Sequence, residues 1–337
     1  MAKVAVVTGG TVGIGLATVR LFAERGWSVG VIARDEARLR STETELRALG
    51  VEVLGISADV ADAAAMDQAA DRFEAELGPI AAWVNNAMAT VVSPAGDITP
   101  EEYKRVTEVT YLGQVHGTLA ALRLMTPRNA GAIVQVSSGL AIRSAPLQSA
   151  YCGAKAATRG FTDSVRSELI HDNVKITLSI VYLPAVNTPQ FDWSRNHTGR
   201  AQKAPEPIFD PRLCAEAIVF AAVKPRREIW VGRSVAQMGA VQRLSPHLGD
   251  RVAASMWDGQ LEDFPPAHPE GNLFEPVPGN PGIDGRFTDR SKTIRTEFWT
   301  SRQRDVFYGT LASVALLGMS APLLMGAAVL KAMDQRK

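Results

Sequence analysis

Cysteine is nearly missing from this sequence: two residues, Cys152 and Cys214, in a chain of 337. They form no CxxC or comparable ligand spacing, which excludes a disulfide-stapled scaffold and a cysteine-built zinc centre, and no metal is expected. Charge of one sign is missing too. Thirty-six Lys and Arg face 35 Asp and Glu, a net charge of +1, so nothing in bulk attracts a polyanion and no nucleic-acid partner is expected. With 46% hydrophobic and 21% charged residues, the composition excludes a largely disordered chain. The opening MAKVAVVTGG has one lysine and an apolar run that stops at glycines, which reads as a first strand rather than a secretory signal. A reducing, cytoplasm-facing setting is therefore expected.

What is present is an alternation of short β-branched runs with helical periods. The runs are 3–8, 28–33, 51–57, 81–86, 131–138, 174–181 and 227–232; between them, helical spacing covers 15–26, 35–49, 63–77, 100–126, 150–172 and 211–223. Near-continuous apolar strands separated by helices predict an α/β fold: a doubly wound, seven-stranded parallel sheet with helices on both faces, in one domain spanning 1–235. Its first turn, TGGTVGIG, sets Gly9, Gly13 and Gly15 in a GxxxGxG spacing. Glycines there let the backbone turn sharply and approach a pyrophosphate, whose charge the amides and dipole of the next helix would meet. By itself such a turn is equally common as plain structure.

Several further motifs fall in register with it: Asp59 in SADV, the NNA at 85–87, Ser138 closing a strand, and YCGAK beginning thirteen residues after that serine. Together, in this order and spacing, they resemble the short-chain dehydrogenase/reductase family over about the first 235 residues. The resemblance implies a Rossmann-like fold and a nicotinamide dinucleotide lying over Gly9, Thr11, Val12, Gly13 and Ile14. Adenine would meet Asp59 and Val60, Asn86 would border the cofactor, and Val186 and Thr188 would meet its carboxamide end. Ser138, Tyr151 and Lys155 would be catalytic, acting on an alcohol or carbonyl substrate.

Chemistry explains the tyrosine and lysine. A carbonyl that accepts hydride develops oxyanion charge and needs a proton, but a free tyrosine with a pKa of about 10 is a sluggish donor near neutrality. Four positions apart on a helix, Lys155 lies on the same face as Tyr151; there it is expected to favour the ionised phenol and to bond the nicotinamide ribose. Ser138, at the carboxyl end of a strand, would donate to the same substrate oxygen.

Three positions depart from the family pattern. Thr110 stands where many members carry asparagine, and its shorter hydroxyl is expected to hold a relay water. Met88 replaces the last glycine of NNAG, and Ala185 the glycine after the sixth strand. His116 and His171 have no ligand partner and read as structural, His197 sits in a loop within possible reach of substrate, and Cys152 lacks a histidine to activate it. At the end of the second strand, Ala33 offers no carboxylate to a ribose 2′-hydroxyl, while Arg34 has a guanidinium suited to a 2′-phosphate. NADP(H) is therefore expected; NAD(H) would follow if Asp35 reached the ribose instead.

Beyond 235 the pattern changes. Residues 236–305 form a Pro/Gly-rich and basic extension, in which 263–285 reads as an extended connector. Residues 306–330 contain no charge over 25 positions; as a helix they would be about 37 Å long, enough to span a hydrocarbon core of about 30 Å. A transmembrane helix is expected, with an interface helix as the alternative. The basic flank including Arg286, Arg290, Arg302 and Arg304 keeps the catalytic domain at the cytoplasmic face. The expectation is a membrane-anchored, homo-oligomeric oxidoreductase acting on a small, apolar alcohol or carbonyl. The alternative is a membrane-attached nucleotide-binding sensor or scaffold with little turnover.

Overall fold

Val4–Thr8 (β1) has five buried residues in succession, and their alternation divides the core. Ala5 and Val7 point into one apolar layer with helix α1 (Gly13–Glu24), whereas Val4 and Val6 enter the layer on the opposite face. A strand buried on both sides must lie inside a sheet covered by helices. The remaining strands are β2 (Ser28–Ala33), β3 (Val53–Ser57), β4 (Ile80–Asn85), β5 (Ala132–Ser138), β6 (Thr177–Leu183), β7 (Glu228–Val231) and β8 (Phe298–Thr300). In the computed structural model, which describes residues 2–310 and 313, the sheet order is β8-β7-β6-β5-β4-β1-β2-β3. The seven expected strands pair in parallel, whereas β8 adds an antiparallel edge, Ile229 opposite Thr300.

The helices follow the sequence periods closely: α2 (Glu36–Arg47), α3 (Ala63–Leu77), α6 (Ser149–His171) and α8 (Pro211–Val223), with one short helical turn, α7 (Gln190–Trp193), between the last two. The period over 100–126 resolves into α4 (Pro100–Thr107), one π-turn (Glu108–Leu112) and α5 (Gly113–Met125). The α4 start is fixed by a capping box, in which Thr99 and Glu102 satisfy each other's backbone amides. Chain order reverses between β1 and β4, and the crevice outside their carboxyl ends is where a doubly wound sheet offers a ligand site.

The extension departs from its expected role. Residue 235 is no boundary: α9 (Arg233–Leu244) begins before it, Val235 is fully buried, and α10 (Pro246–Ser255) folds back beside α9. The proline- and glycine-rich stretch is not a free connector either. Leu273, Val277, Ile283 and Phe287 are buried. Each occupies a separate position against the domain along an irregular chain, so no helical or strand period marks them in the sequence. Gly285 is required by a close approach, since a Cβ there would stand 2.5 Å from the Thr188 carbonyl oxygen.

Residues 301–310 are helical and rest on the sheet edge. Tyr308 packs edge-on against Trp230 with ring centroids 6.2 Å apart, and Arg304 pairs with the buried carboxylate of Glu228. The opening residues of the expected span thus belong to the folded domain, and most of 306–330 lies outside the described residues. Among the described residues, no helix is long and apolar enough to cross a membrane.

Candidate active site

The turn after β1 is built by close approach. Gly9 and Gly13 have positive φ, +65° and +57°, a region that favours glycine. At Gly15 a Cβ would fall 1.9 Å from the Gly9 carbonyl oxygen, so only hydrogen fits. Thr8 Oγ1 accepts from the amides of Asn86 and Ala87 at 3.0 Å each, and Asn86 Nδ2 donates to the carbonyls of Thr8 and Gly9 at 3.1 and 3.2 Å. The ends of β1 and β4 are thereby tied together. Its neighbour Asn85 serves the core, accepting from Trp83 and donating to Thr118 and Gln135.

Ser138 ends β5, where its Oγ accepts from the Leu140 amide at 3.1 Å. Tyr151 and Lys155 lie on the first turns of α6, both buried. Lys155 Nζ stands 5.7 Å from the Tyr151 ring centre and donates to the Val136 carbonyl at 2.7 Å. Burial pushes the Tyr151 phenol well above its usual range, opposed in part by hydrogen bonding with Ser138. Burial also lowers Lys155 to about 7. Desolvation thus acts on both groups, holding each toward its neutral form.

These side chains face one cavity of about 780 Å³. It brings together Ser138, Tyr151 and Lys155 with the glycine turn from Gly9 through Thr11, Val12 and Gly13 to Ile14. Arg34, Asp59, Val60, Asn86, Val186 and Thr188 line it as well. Thr110 does not line it. Its hydroxyl donates to Ala89 O at 2.7 Å and accepts from Ala89 N at 2.9 Å, leaving no proton for the expected relay water. Thr110 is a positioning residue: from the π-turn it holds the loop carrying Met88, which does line the cavity.

A profile of the short chain dehydrogenase family matches residues 3–198. The chain belongs to that family. Among its relatives, the oxidoreductase YxnA of Bacillus subtilis is 32% identical over 323 residues, covering 95% of this chain and 90% of YxnA. A fatty acyl-CoA reductase of Acinetobacter baylyi is 28% identical over 228 residues, covering 67% of this chain and 75% of its own. A short-chain dehydrogenase of Streptomyces avermitilis has a solved structure that superposes with a TM-score of 0.62 at 26% identity, covering 76% of this chain and 94% of that one. This family member is a short-chain oxidoreductase, and family membership implies a nicotinamide dinucleotide. The residues present fit one: the cavity is lined both by the glycine turn, where a Cβ at Gly15 would clash, and by Thr90 and Ser137, whose buried hydroxyls have no partner.

At the adenine end the geometry adds groups that the sequence motifs did not single out. Arg34 donates to main-chain carbonyls of the extension, at 2.6 Å to Asn272 and 2.5 Å to Phe274. Arg38 donates to Gly279 and Val277, and pairs with Asp35 at 3.3 Å. Asp35 also caps α2 by accepting from the Arg38 amide. Asp59 accepts from Arg105 and from the Ala61 amide; burial acts to raise its carboxyl, but these bonds outweigh it and hold the pKa below the usual range. Arg38 and Arg105 are visible in sequence only as ordinary surface-helix arginines.

Other candidates resolve into structure. His197 Nε2 bonds the nearly buried Glu102 carboxylate at 2.9 Å and does not line the cavity. His116 Nδ1 bonds Val60 O, and the Cys152 thiol is raised by burial, the opposite of activation. Among the described residues, no cluster of His, Cys, Asp or Glu could hold a metal ion.

The Lys155 environment has a measurable consequence without dinucleotide. Its folded pKa of about 7 lies below the ordinary 10.5, so between these values the unfolded chain holds a proton that the folded chain has released. Stability therefore rises with pH across that window, until Tyr151 reverses the trend above about pH 10. Lys155→Met should be more stable than wild type near pH 6.5 by on the order of 3 kcal/mol, with the gain shrinking by about pH 9.5. Urea unfolding at both pH values checks this; a difference independent of pH would contradict it.

Proposed function

We propose that the protein interconverts an alcohol and a carbonyl on an apolar substrate, using NADP(H). The observation that carries this reading is the placement of Ser138, Tyr151 and Lys155 on the same cavity as the glycine turn. Beyond them the wall is apolar, including Met88, Leu140, Met238, Val241 and Met256. The fatty acyl-CoA reductase among the relatives supports a substrate with an apolar chain.

In the reducing direction, a dinucleotide held over the glycine turn would supply a hydride for the carbonyl carbon. The C=O π-electron pair moves onto oxygen, where Ser138 stabilises developing charge by a hydrogen bond and Tyr151 delivers the phenolic proton. Oxidation runs these steps backwards. Burial disfavours a lone tyrosinate and a lone ammonium alike, but the two together are neutral as a pair, so Lys155 becomes charged most readily when Tyr151 is ionised. Lys155 would also hold the nicotinamide ribose, as the family resemblance implies. Thr110 acts at a distance, keeping Met88 and its loop in place.

The preference for NADP(H) rests on Ala33, which supplies no carboxylate, and on the two guanidinium groups of Arg34 and Arg38 at that end. Membrane attachment by the apolar sequence that follows the docked residues 301–310, with the catalytic domain at the cytoplasmic face, is part of the same proposal and rests on that sequence.

Tyr151→Phe should lower turnover of a carbonyl substrate by about 10²- to 10⁴-fold while dinucleotide affinity is kept; near-normal steady-state turnover would remove the tyrosine from its role. Arg34→Ala should weaken NADPH binding by at least about tenfold more than NADH binding, read by titration of cofactor fluorescence. Equal weakening, or a wild type that prefers NADH, would refute the cofactor assignment. For the anchor, the full-length chain should stay with membranes after carbonate washing, and its complete release would refute attachment by a spanning helix.

A further inference from the structure

The extension crosses the adenine end as a strap, residues 271–285, held by more than apolar contact. Its carbonyl oxygens are its anchors. Arg34 takes those of Asn272 and Phe274, Arg105 that of Leu273 at 3.1 Å, Arg38 those of Val277 and Gly279, and the Gly13 amide that of Gly282 at 3.0 Å. Leu273, Val277 and Ile283 plug into the domain between them. Three arginines meet two paired carboxylates here, Asp35 and Asp59, with Glu275 of the strap close enough to act on Arg34, and the remaining guanidinium donors are filled by neutral carbonyls. A phosphate is a stronger acceptor for a guanidinium than a main-chain carbonyl, because the bond is then assisted by charge on both sides. Arg34 and Arg38 also face the cavity, to which the strap itself contributes Asn272.

The strap also bonds the loop at residues 187–193. The Asn272 amide donates to Trp193 O at 2.9 Å, Asn272 Nδ2 donates to Gln190 Oε1 at 3.2 Å, and Asn187 Oδ1 accepts from the Phe287 amide at 2.9 Å. Gln190 and Trp193 line the same cavity, and the Arg38 guanidinium lies 5.2 Å from the centre of the Trp193 ring. One segment is therefore bonded both to Arg34 and Arg38 and to the 187–193 loop that packs beside them.

We infer that residues 271–285 are a latch sensitive to the 2′-phosphate: NADP(H) displaces the strap carbonyls from Arg34 and Arg38, and the released strap shifts the 187–193 loop. NAD(H), with a neutral hydroxyl at that position, leaves the latch closed. A ligand moves such an equilibrium only by its differential affinity for the two states, and the phosphate supplies that difference. While the latch is closed, apparent affinity for NADP(H) is reduced by the fraction of open molecules. The inference rests on the NADP(H) reading and adds a conformational element to it.

Hydrogen exchange on the full-length protein tests it with two fragments, adenosine 2′,5′-bisphosphate and 5′-AMP. The bisphosphate should speed exchange at the amides of Asn272 and Phe287, and 5′-AMP should not. Equal responses, or protection of the strap by the bisphosphate, would overturn the latch. Leu273→Ala removes a plug without touching an arginine. It should tighten NADPH binding by about three- to tenfold while leaving NADH within about twofold; equal changes for both cofactors, or none, would also overturn it. If that variant does not fold, exchange on the wild type decides. A wild type that binds NADH in preference to NADPH defeats the cofactor reading and the latch together. One in which Arg34→Ala weakens NADPH selectively while the strap responds to neither fragment defeats the latch alone.

Discussion

The functional end of the molecule depends on one close contact, the approach of Gly15 to the Gly9 carbonyl. A side chain there would overlap the turn, with its Cβ 1.9 Å from that oxygen. The contact folds the chain from β1 directly into α1, bringing the amide-rich start of the helix to the crevice where strand order reverses. Thr8 and Asn86 then join β1 to β4 across the same point. Everything placed around the crevice is measured from this junction, including the loop that carries Met88.

The reaction centre works against the solvation of its own groups. Tyr151 and Lys155 are buried, and desolvation holds both toward their neutral forms. In the proposed reaction, each group, kept neutral by its surroundings, would change charge when its partner does. Ser138 needs no such tuning. A strand end directs its hydroxyl to the cavity, while a backbone amide from Leu140 occupies one of its acceptor positions, leaving its proton available.

The extension turns a dinucleotide-binding domain into a more enclosed one. Helices α9 and α10 supply apolar wall at the substrate end through Met238, Val241 and Met256, and the strap bridges the adenine end. Both derive from chain beyond the last parallel strand. Residues 301–310 close the same side of the sheet through Tyr308 and Arg304, so the domain continues well past the position where its repeating pattern ends.

Local signals made most of the domain legible. Seven β-branched runs, six helical periods and the GxxxGxG turn each follow from neighbours in sequence, and the spacing from Ser138 through Tyr151 to Lys155 identified groups that do share one cavity. Thr110 was located but misread, because its partner, the Ala89 backbone, is 21 residues away. The strap was misread for the same reason on a larger scale: its glycines and prolines announce an irregular path, but not where that path goes. Sequence by itself determined the strand–helix alternation and the chemistry available, since both are set by residue type and short spacing. Only the tertiary structure decided the burial that shifts Tyr151 and Lys155, the carbonyls that occupy Arg34 and Arg38, and the eighth strand, because each depends on contacts between distant parts of the chain.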